Sequence, residues 1–163
     1  MATKQPTFKT SIDLPAGTRS EIIDLCNQQL ADTADLQSQI KQAHWNIKGP
    51  EFIALHELYD QLAEEVEGYV DLIAERVTQL GGYAMGTARM AAANSRLPEF
   101  PVDAIQGLDT VKALVERYAA YAASTRSAID ESDKSGDLTT ADLFTEVSRG
   151  VDKGLWFLEA HLQ

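Results

Sequence analysis

Five side chains combine residue types that bind metal ions with a spacing that a helix would place on one face. They are His44, His56, Asp60, Asp71 and Glu75. His56 and Asp60 are four residues apart, as are Asp71 and Glu75, and residues at this spacing are neighbours on a helix. At about 100° per residue, the last four of the five share one stripe of helix surface. An imidazole and three carboxylates are costly to bury unless a cation or polar partners satisfy them, so the stripe predicts a metal site.

The two pairs are too far apart to bind one metal ion from the same helix. At a rise of about 1.5 Å per residue, Asp60 and Asp71 lie roughly 16 Å apart, whereas metal bonds to nitrogen and oxygen are about 2 Å long. A second, antiparallel copy of the helix, related by a two-fold axis near Glu65 and Val66, would bring the acidic pair of one subunit beside the His–Asp pair of the other. The spacing therefore predicts two identical metal sites between the chains of a dimer.

Other interpretations of these residues must be weighed against a metal site. The carboxylates could form an interface set of ion pairs with arginines such as Arg76, and each histidine could be satisfied by a backbone group. A zinc hydrolase, suggested by His56 and Glu57, is rejected because its helical motif needs a second histidine where Asp60 stands.

Length and composition restrict the classes of function. A chain of 163 residues is long enough for one domain with a substantial core. The formal net charge of -11, with 14 basic against 25 acidic residues, weighs against nucleic acid as a partner of the body of the protein. We find neither a signal peptide nor a membrane-spanning run, and the single cysteine, Cys26, fits a reducing compartment. We therefore expect a cytoplasmic protein without a membrane partner.

The apolar periodicity predicts an all-α protein with a mobile N-terminal arm over residues 1–17 and one four-helix bundle domain over residues 18–163. The predicted helices run from Arg19 to Ile47 after a Thr18 cap, from Glu51 to Leu80, from Leu108 to Glu131, and from a Thr140 cap to His161. The link from Tyr83 to Gly107 is long for a compact bundle. It predicts a crossover between parallel helices, with a short helix over residues 87–94.

Much of the chain resembles the signature of the Dps mini-ferritins, a family of the ferritin-like superfamily. The resemblance includes His44-Trp45-Asn46-Ile47-Lys48-Gly49-Pro50, Asp71 through Arg76, Leu80-Gly81-Gly82, and Leu155-Trp156-Phe157. It implies a ferritin-like bundle that assembles into a hollow shell of twelve identical subunits. It also implies a ferroxidase centre at the two-fold interface, where His44, His56 and Asp60 would face Asp71 and Glu75 of a second subunit.

The resemblance implies an activity as well. Proteins of this family oxidise Fe(II), usually with hydrogen peroxide and more slowly with dioxygen, and store the ferric product inside the shell, which protects against oxidative damage. The mixed oxygen and imidazole set suits iron, although zinc and manganese could compete for it. Iron would enter through three-fold pores near the start of the last helix, where the matching residues are Asp137, Asp142 and Glu146. The alternative is a solvated acidic helix start, stabilised by the helix dipole.

DNA binding is the point at which the sequence departs from the behaviour for which the family is named. Members that condense DNA commonly use a lysine-rich terminal tail. Here the arm carries only Lys4 and Lys9, and the C-terminus has no basic extension. We expect DNA not to be a partner, and we keep a DNA-binding or structural nucleoid shell with a merely structural metal site as the alternative function.

Overall fold

The computed structural model describes residues 5–163, and in that part of the chain five helices and no strand make up the fold. They are α1 (Ala16–Asn46), α2 (Phe52–Gln79), α3 (Ala88–Asn94), α4 (Gly107–Lys134) and α5 (Leu138–Glu159). α1 packs along α2 and α4 packs along α5, while α1 also contacts α4 and α2 contacts α5. The predicted all-α four-helix bundle, with a long crossover that carries a short helix, is confirmed.

Apolar side chains from the four long helices meet in the middle of the bundle. The largest that are fully buried include Tyr59, Tyr118, Tyr121 and Phe144, and burial of a large apolar side chain contributes about 1.5–3 kcal/mol. Cys26 is also fully buried, and burial raises the pKa of its thiol to about 12. No helix within residues 5–163 is both long and apolar enough to cross a membrane.

Both predicted helix caps are wrong. α1 begins at Ala16, directly after Pro15, and no side chain caps it, so Thr18 already lies inside the helix. α5 begins at Leu138 and is capped by Asp137, whose side chain accepts a hydrogen bond from the Thr140 N–H (3.0 Å). Aspartate, serine and threonine all satisfy free N–H groups at a helix start, and at α5 the aspartate lies in the capping position.

The crossover is held to the bundle by an ion pair between a buried carboxylate and an exposed arginine. Asp32 on α1 is only 1% exposed, and its carboxylate accepts hydrogen bonds from the Arg96 backbone N–H (2.7 Å) and from Arg96 Nε and Nη2 (2.9 and 2.6 Å). Three residues after Arg96 in the crossover, the Glu99 carbonyl accepts a hydrogen bond from Arg117 on α4. These contacts fix the path of the chain between α3 and α4.

The segment before α1 is extended and is attached to the end of α2. Phe8 N–H donates to the Gly81 carbonyl (2.8 Å), and Ile12 and Leu14 pack against the apolar cluster around Cys26. Gly81 has φ +87°, and a Cβ there would collide with the Phe8 carbonyl, so this position requires glycine. The predicted arm extended to residue 17, whereas the chain becomes helical at Ala16.

Candidate metal centre

His44 and His56 are held together by reciprocal hydrogen bonds at the junction of α1 and α2. His44 Nδ1 lies 2.8 Å from the His56 carbonyl oxygen, and His56 Nδ1 lies 2.9 Å from the His44 carbonyl oxygen. Because a carbonyl can only accept, each Nδ1 carries the hydrogen, and in the neutral ring Nε2 is the nitrogen left to bind a metal. The rings are stacked, with centroids 3.8 Å apart and planes 18° apart.

The tight turn between the two helices makes this pairing possible. Gly49 has φ +114°, a left-handed conformation that glycine adopts without strain. Lys48 N–H donates to the Ile105 carbonyl (2.9 Å), which ties the turn to the end of the crossover. The last turn of α1 and the first turns of α2 are therefore adjacent, as predicted for His44.

Asp60 lies one helical turn beyond His56 and is exposed. Its Oδ1 is 3.9 Å from His44 Nε2, within the distance of about 4.2 Å that two bonds to one shared cation can span. The same oxygen accepts a hydrogen bond from Lys41 Nζ at 2.7 Å. This hydrogen bond, together with the charge of the ammonium, lowers the pKa of Asp60.

Lys41 is the residue at this site that sequence reasoning missed. It lies on α1 three residues before His44, a spacing that puts both side chains on one helix face, so the signal was present. Since its ammonium occupies the carboxylate oxygen nearest to the histidine, a cation binding between Asp60 and His44 would have to displace it. Lys41 is about one-quarter exposed and therefore has room to move.

Asp71 and Glu75 form the second half of the predicted site, and the structure places them on α2 with exposed side chains. In the described part of the chain, neither carboxylate forms an ion pair or a hydrogen bond with another residue. Nor do three or more His, Cys, Asp or Glu side chains within residues 5–163 of one chain come together in a group that could hold a metal ion.

Arg76, which we considered as an ion-pair partner for these carboxylates, points into the bundle instead. Its Nη2 lies 2.9 Å from both carboxylate oxygens of Asp137, and its Nε donates to Thr140 Oγ1 (2.8 Å). Arg76 and Asp137 are 5% and 2% exposed. This pair joins α2 to the start of α5.

The three residues assigned to an iron pore therefore differ in their surroundings. Asp137 is buried, and its two oxygens are occupied by Arg76 and Thr140, so it is not free to line a pore. Burial raises the pKa of Asp137, but the hydrogen bonds from Thr140 and Arg76 outweigh it, and the net effect is a lowered pKa. Asp142 and Glu146 are both exposed and lie four residues apart on α5.

The two residues named for weak DNA contact give little basis for a basic surface. Lys9 is exposed and follows Phe8, the point at which the segment attaches to Gly81. Lys4 lies outside the described residues. Asp13, on the same segment, is exposed and carries the opposite charge.

Comparison with known sequences relates the chain to a large family. The family described as "Ferritin-like domain" matches residues 23–163. The "DNA protection during starvation protein" of Agrobacterium fabrum is 49% identical over 157 residues, which cover 96% of this chain and 97% of that protein.

Solved structures agree with the sequence comparison. DpsC from Streptomyces coelicolor has a TM-score of 0.91 and 30% identity, covering 100% of this chain and 96% of that one. A Dps from Mycobacterium smegmatis has a TM-score of 0.91 and 32% identity, covering 96% and 94%. The family match, the identity along almost the whole chain and the shared fold lead to one conclusion: this chain belongs to the Dps family of mini-ferritins, within the ferritin-like superfamily.

Proposed function

We propose that this protein oxidises ferrous iron at sites shared between two subunits and stores the ferric product inside a shell. The observation that carries the proposal is the division of ligand types along α2. His44, His56 and Asp60 lie together at one end, and Asp71 and Glu75 lie exposed roughly 16 Å further along the helix. A two-fold axis near residues 65 and 66 joins the two halves of the site from different chains.

Exposed apolar side chains near both halves of the proposed site support a second subunit along this face of the chain. Large apolar groups that stay exposed in one chain commonly mark an interface. They lie at the end of α1, along α2 and in the crossover: Trp45 (65% exposed), Phe52 (43%), Ile53 (61%), Leu72 (38%) and Val102 (87%).

The residues of the proposed site divide the work of oxidation between them. The two Nε2 atoms and the carboxylates bind ferrous iron, and the backbone carbonyls behind the histidines keep the rings oriented. Each ferrous ion gives up one electron and each hydrogen peroxide accepts two, so two ferrous ions are consumed per peroxide. The ferric product hydrolyses to an oxyhydroxide and is stored in the cavity of a shell that we propose to contain twelve subunits. Dioxygen is the slower oxidant, and zinc and manganese compete with iron for the site.

Two ligand variants tested in mixed shells examine the proposal most directly. His56→Ala and Asp71→Asn should each lower the initial rate of Fe(II) oxidation by about tenfold or more, since even outer partners of metal ligands change activity about 10- to 100-fold. When the two variants are co-expressed with different tags and purified as mixed shells, random pairing leaves about one-quarter of all sites intact. Activity should return to about that fraction of wild type.

His161→Ala is the matched control, because His161 is exposed and its ring Nδ1 bonds to the Phe157 carbonyl of its own helix end. It should oxidise iron at the wild-type rate. Wild-type rates in His56→Ala would remove the catalytic assignment. Mixed shells that remain as inactive as either parent would show that the site is not built across chains.

A second candidate function comes from the relatives, several of which are named "DNA protection during starvation protein". We propose that protection by this protein works through removal of iron and peroxide rather than through a direct DNA contact. The net charge of -11 opposes binding to a polyanion, and the described arm residues carry one lysine, Lys9. A gel-shift titration at low salt should show no retarded DNA, and retardation that disappears with added salt would favour the nucleoid-shell alternative.

A further inference from the structure

Met85 lies in the crossover between α2 and α3, where a side chain of α1 holds its backbone in place. Met85 N–H donates to Asn27 Oδ1 (2.9 Å), and Asn27 Nδ2 donates to the Tyr83 carbonyl (3.2 Å). The main chain around Met85 is therefore fixed against α1, while the residue itself is partly exposed. The base of its side chain is therefore kept at one place on the surface.

A polar cavity of about 190 Å³ lies beside this thioether. Its lining residues include Gln5, Asn27 and Gln28, which carry side-chain amides, and Asp24, which carries a carboxylate. A water molecule occupies about 30 Å³ in the liquid, so the cavity has room for hydrogen peroxide together with several waters. Hydrogen peroxide both donates and accepts hydrogen bonds, and this lining offers both kinds of partner.

The sulfur of Met85 also meets the segment that precedes α1. The side-chain amide of Gln5 donates to Met85 Sδ at a solvent-exposed contact. A thioether is only a weak acceptor, so in the reduced protein this contact holds the segment weakly. Oxidation to the sulfoxide makes the side chain polar and gives the same amide a much stronger oxygen acceptor.

We propose that Met85 is a site of reversible oxidation by hydrogen peroxide, and that its sulfoxide tightens the attachment of residues 5–15 to the bundle. A sulfur lone pair attacks one peroxide oxygen, and the S–O bond forms as the O–O bond breaks. The proton left on the sulfur-bound oxygen passes to the departing hydroxide, which leaves as water. Sulfur loses two electrons and peroxide gains two. Methionine sulfoxide reductases return the side chain to the thioether.

The test uses the full-length protein, freed of metal with a chelator, and a graded series of hydrogen peroxide concentrations. Mass spectrometry follows sulfoxide formation at Met85 and at Met90, which lies in α3 and is also partly buried. Trypsin cleavage after Lys9 under native conditions reports opening of the segment. Met85 should be oxidised several-fold faster than Met90. Cleavage should slow about fivefold, the change in opening expected from one added hydrogen bond.

Two variants and an enzyme control complete the design. In Met85→Leu, peroxide should leave the cleavage rate unchanged, and in Gln5→Ala the slowing should disappear. Methionine sulfoxide reductase should restore the original cleavage rate of the oxidised wild type. The proposal is overturned if Met90 is oxidised as fast as Met85, if cleavage of the oxidised wild type is unchanged or faster, or if Gln5→Ala shows the full slowing.

Discussion

At the scale of single residues, the geometry of His44 and His56 determines what the site can bind. Each ring donates its Nδ1–H to the backbone of the other histidine, so both imidazoles are oriented by the main chain rather than by a mobile side chain. This is the arrangement that leaves Nε2 available to a metal ion. The two Nε2 atoms are thus positioned by the same turn that joins α1 to α2.

Lys41 should act as an internal competitor for the metal. In Lys41→Met, the ammonium no longer occupies Asp60 Oδ1, and we expect the affinity for redox-inert Zn²⁺ at neutral pH to rise several-fold. Isothermal titration calorimetry measures the effect. Lys48→Met is the control, since Lys48 is exposed and its Nζ bonds to the Asn46 carbonyl rather than to a carboxylate. Unchanged or weaker binding in Lys41→Met would contradict the prediction.

The same variant should also change the pH dependence of the site. The Lys41 hydrogen bond lowers the pKa of Asp60 in the folded protein. A lowered pKa gives stability that is present above the unfolded value and is lost as the pH falls through the folded value. Without Lys41, the pKa of Asp60 should rise, so protons compete with Zn²⁺ for this carboxylate from a higher pH than in wild type. The advantage of Lys41→Met in zinc affinity should therefore shrink as the pH falls, because Lys41 no longer bonds to a protonated Asp60. Zinc titrations across the acidic range test this, and an advantage that stayed constant on acidification would argue against it.

At the scale of helices, the Arg76–Asp137 pair joins α2 to the first turn of α5. In Asp137→Asn, the amide still caps the helix, but the buried guanidinium of Arg76 loses its counter-charge. Breaking a buried pair in this way costs about 3–5 kcal/mol of unfolding free energy. Guanidinium-induced unfolding followed by circular dichroism measures it. Asp133→Asn, an exposed change near the end of α4, should have little effect.

The cost of Asp137→Asn should depend on pH. Because the folded pKa of Asp137 lies below its ordinary value, the wild-type advantage should be constant above that ordinary value. It should shrink as the pH falls through the folded pKa, when Asp137 becomes neutral in both states. A difference in unfolding free energy between wild type and Asp137→Asn that grew on acidification would contradict this prediction.

Gly81 controls the attachment of the segment before α1. In Gly81→Ala, the added Cβ collides with the Phe8 carbonyl, and φ +87° is itself unfavourable for alanine. We expect the Phe8 N–H to lose its protection, with faster hydrogen exchange measured by mass spectrometry. Gly17→Ala is the control, because a Cβ at Gly17 meets no atom within 4 Å and should leave exchange at Phe8 unchanged.

The periodicity of apolar residues was sufficient to predict the helices, because burial of one face leaves a strong pattern along a long helix. It was not sufficient for their first residues, since cap chemistry is shared by several residue types: we predicted Thr140 as the cap of α5, and Asp137 occupies that position. Contacts such as Arg76 with Asp137 and Asp32 with Arg96 join positions 61 and 64 residues apart. Pairs so far apart in the chain cannot be recognised from the pattern of one sequence. The candidate ligands could be proposed from the sequence because their residue types and short spacings are visible along individual helices. Lys41, three residues before His44 on α1, could have been found in the same way.

At the scale of the whole molecule, the acidic charge of the chain favours cations over polyanions. Asp142 and Glu146 are the exposed members of the proposed pore. In Asp142→Asn, we expect the rate of iron uptake into assembled shells to fall by about tenfold at low ionic strength, because a ring of carboxylates focuses cations on an opening. The difference should shrink as salt is added. Stopped-flow absorbance follows the uptake.

Asp109→Asn provides the comparison for this prediction. Asp109 is exposed, as Asp142 is, but it lies in the first turn of α4, and its charged partner is Lys112, whose Nζ is 3.6 Å from its Oδ1. The change removes the same charge from the protein at a different place. Equal uptake rates in the two variants and the wild type would remove the pore role of Asp142.

The two halves of the proposed ligand set stay apart in a newly made chain that has not yet met a partner. Under the proposed arrangement, a solitary subunit carries both halves but holds them roughly 16 Å apart, so it cannot bring them to one ion and has no means of turning over ferrous iron. Iron oxidation then begins only after chains have assembled, at the subunit interfaces of the shell that stores the product. Dilution that dissociates the shell should abolish iron oxidation, and reassembly should restore it without any covalent change to the chain.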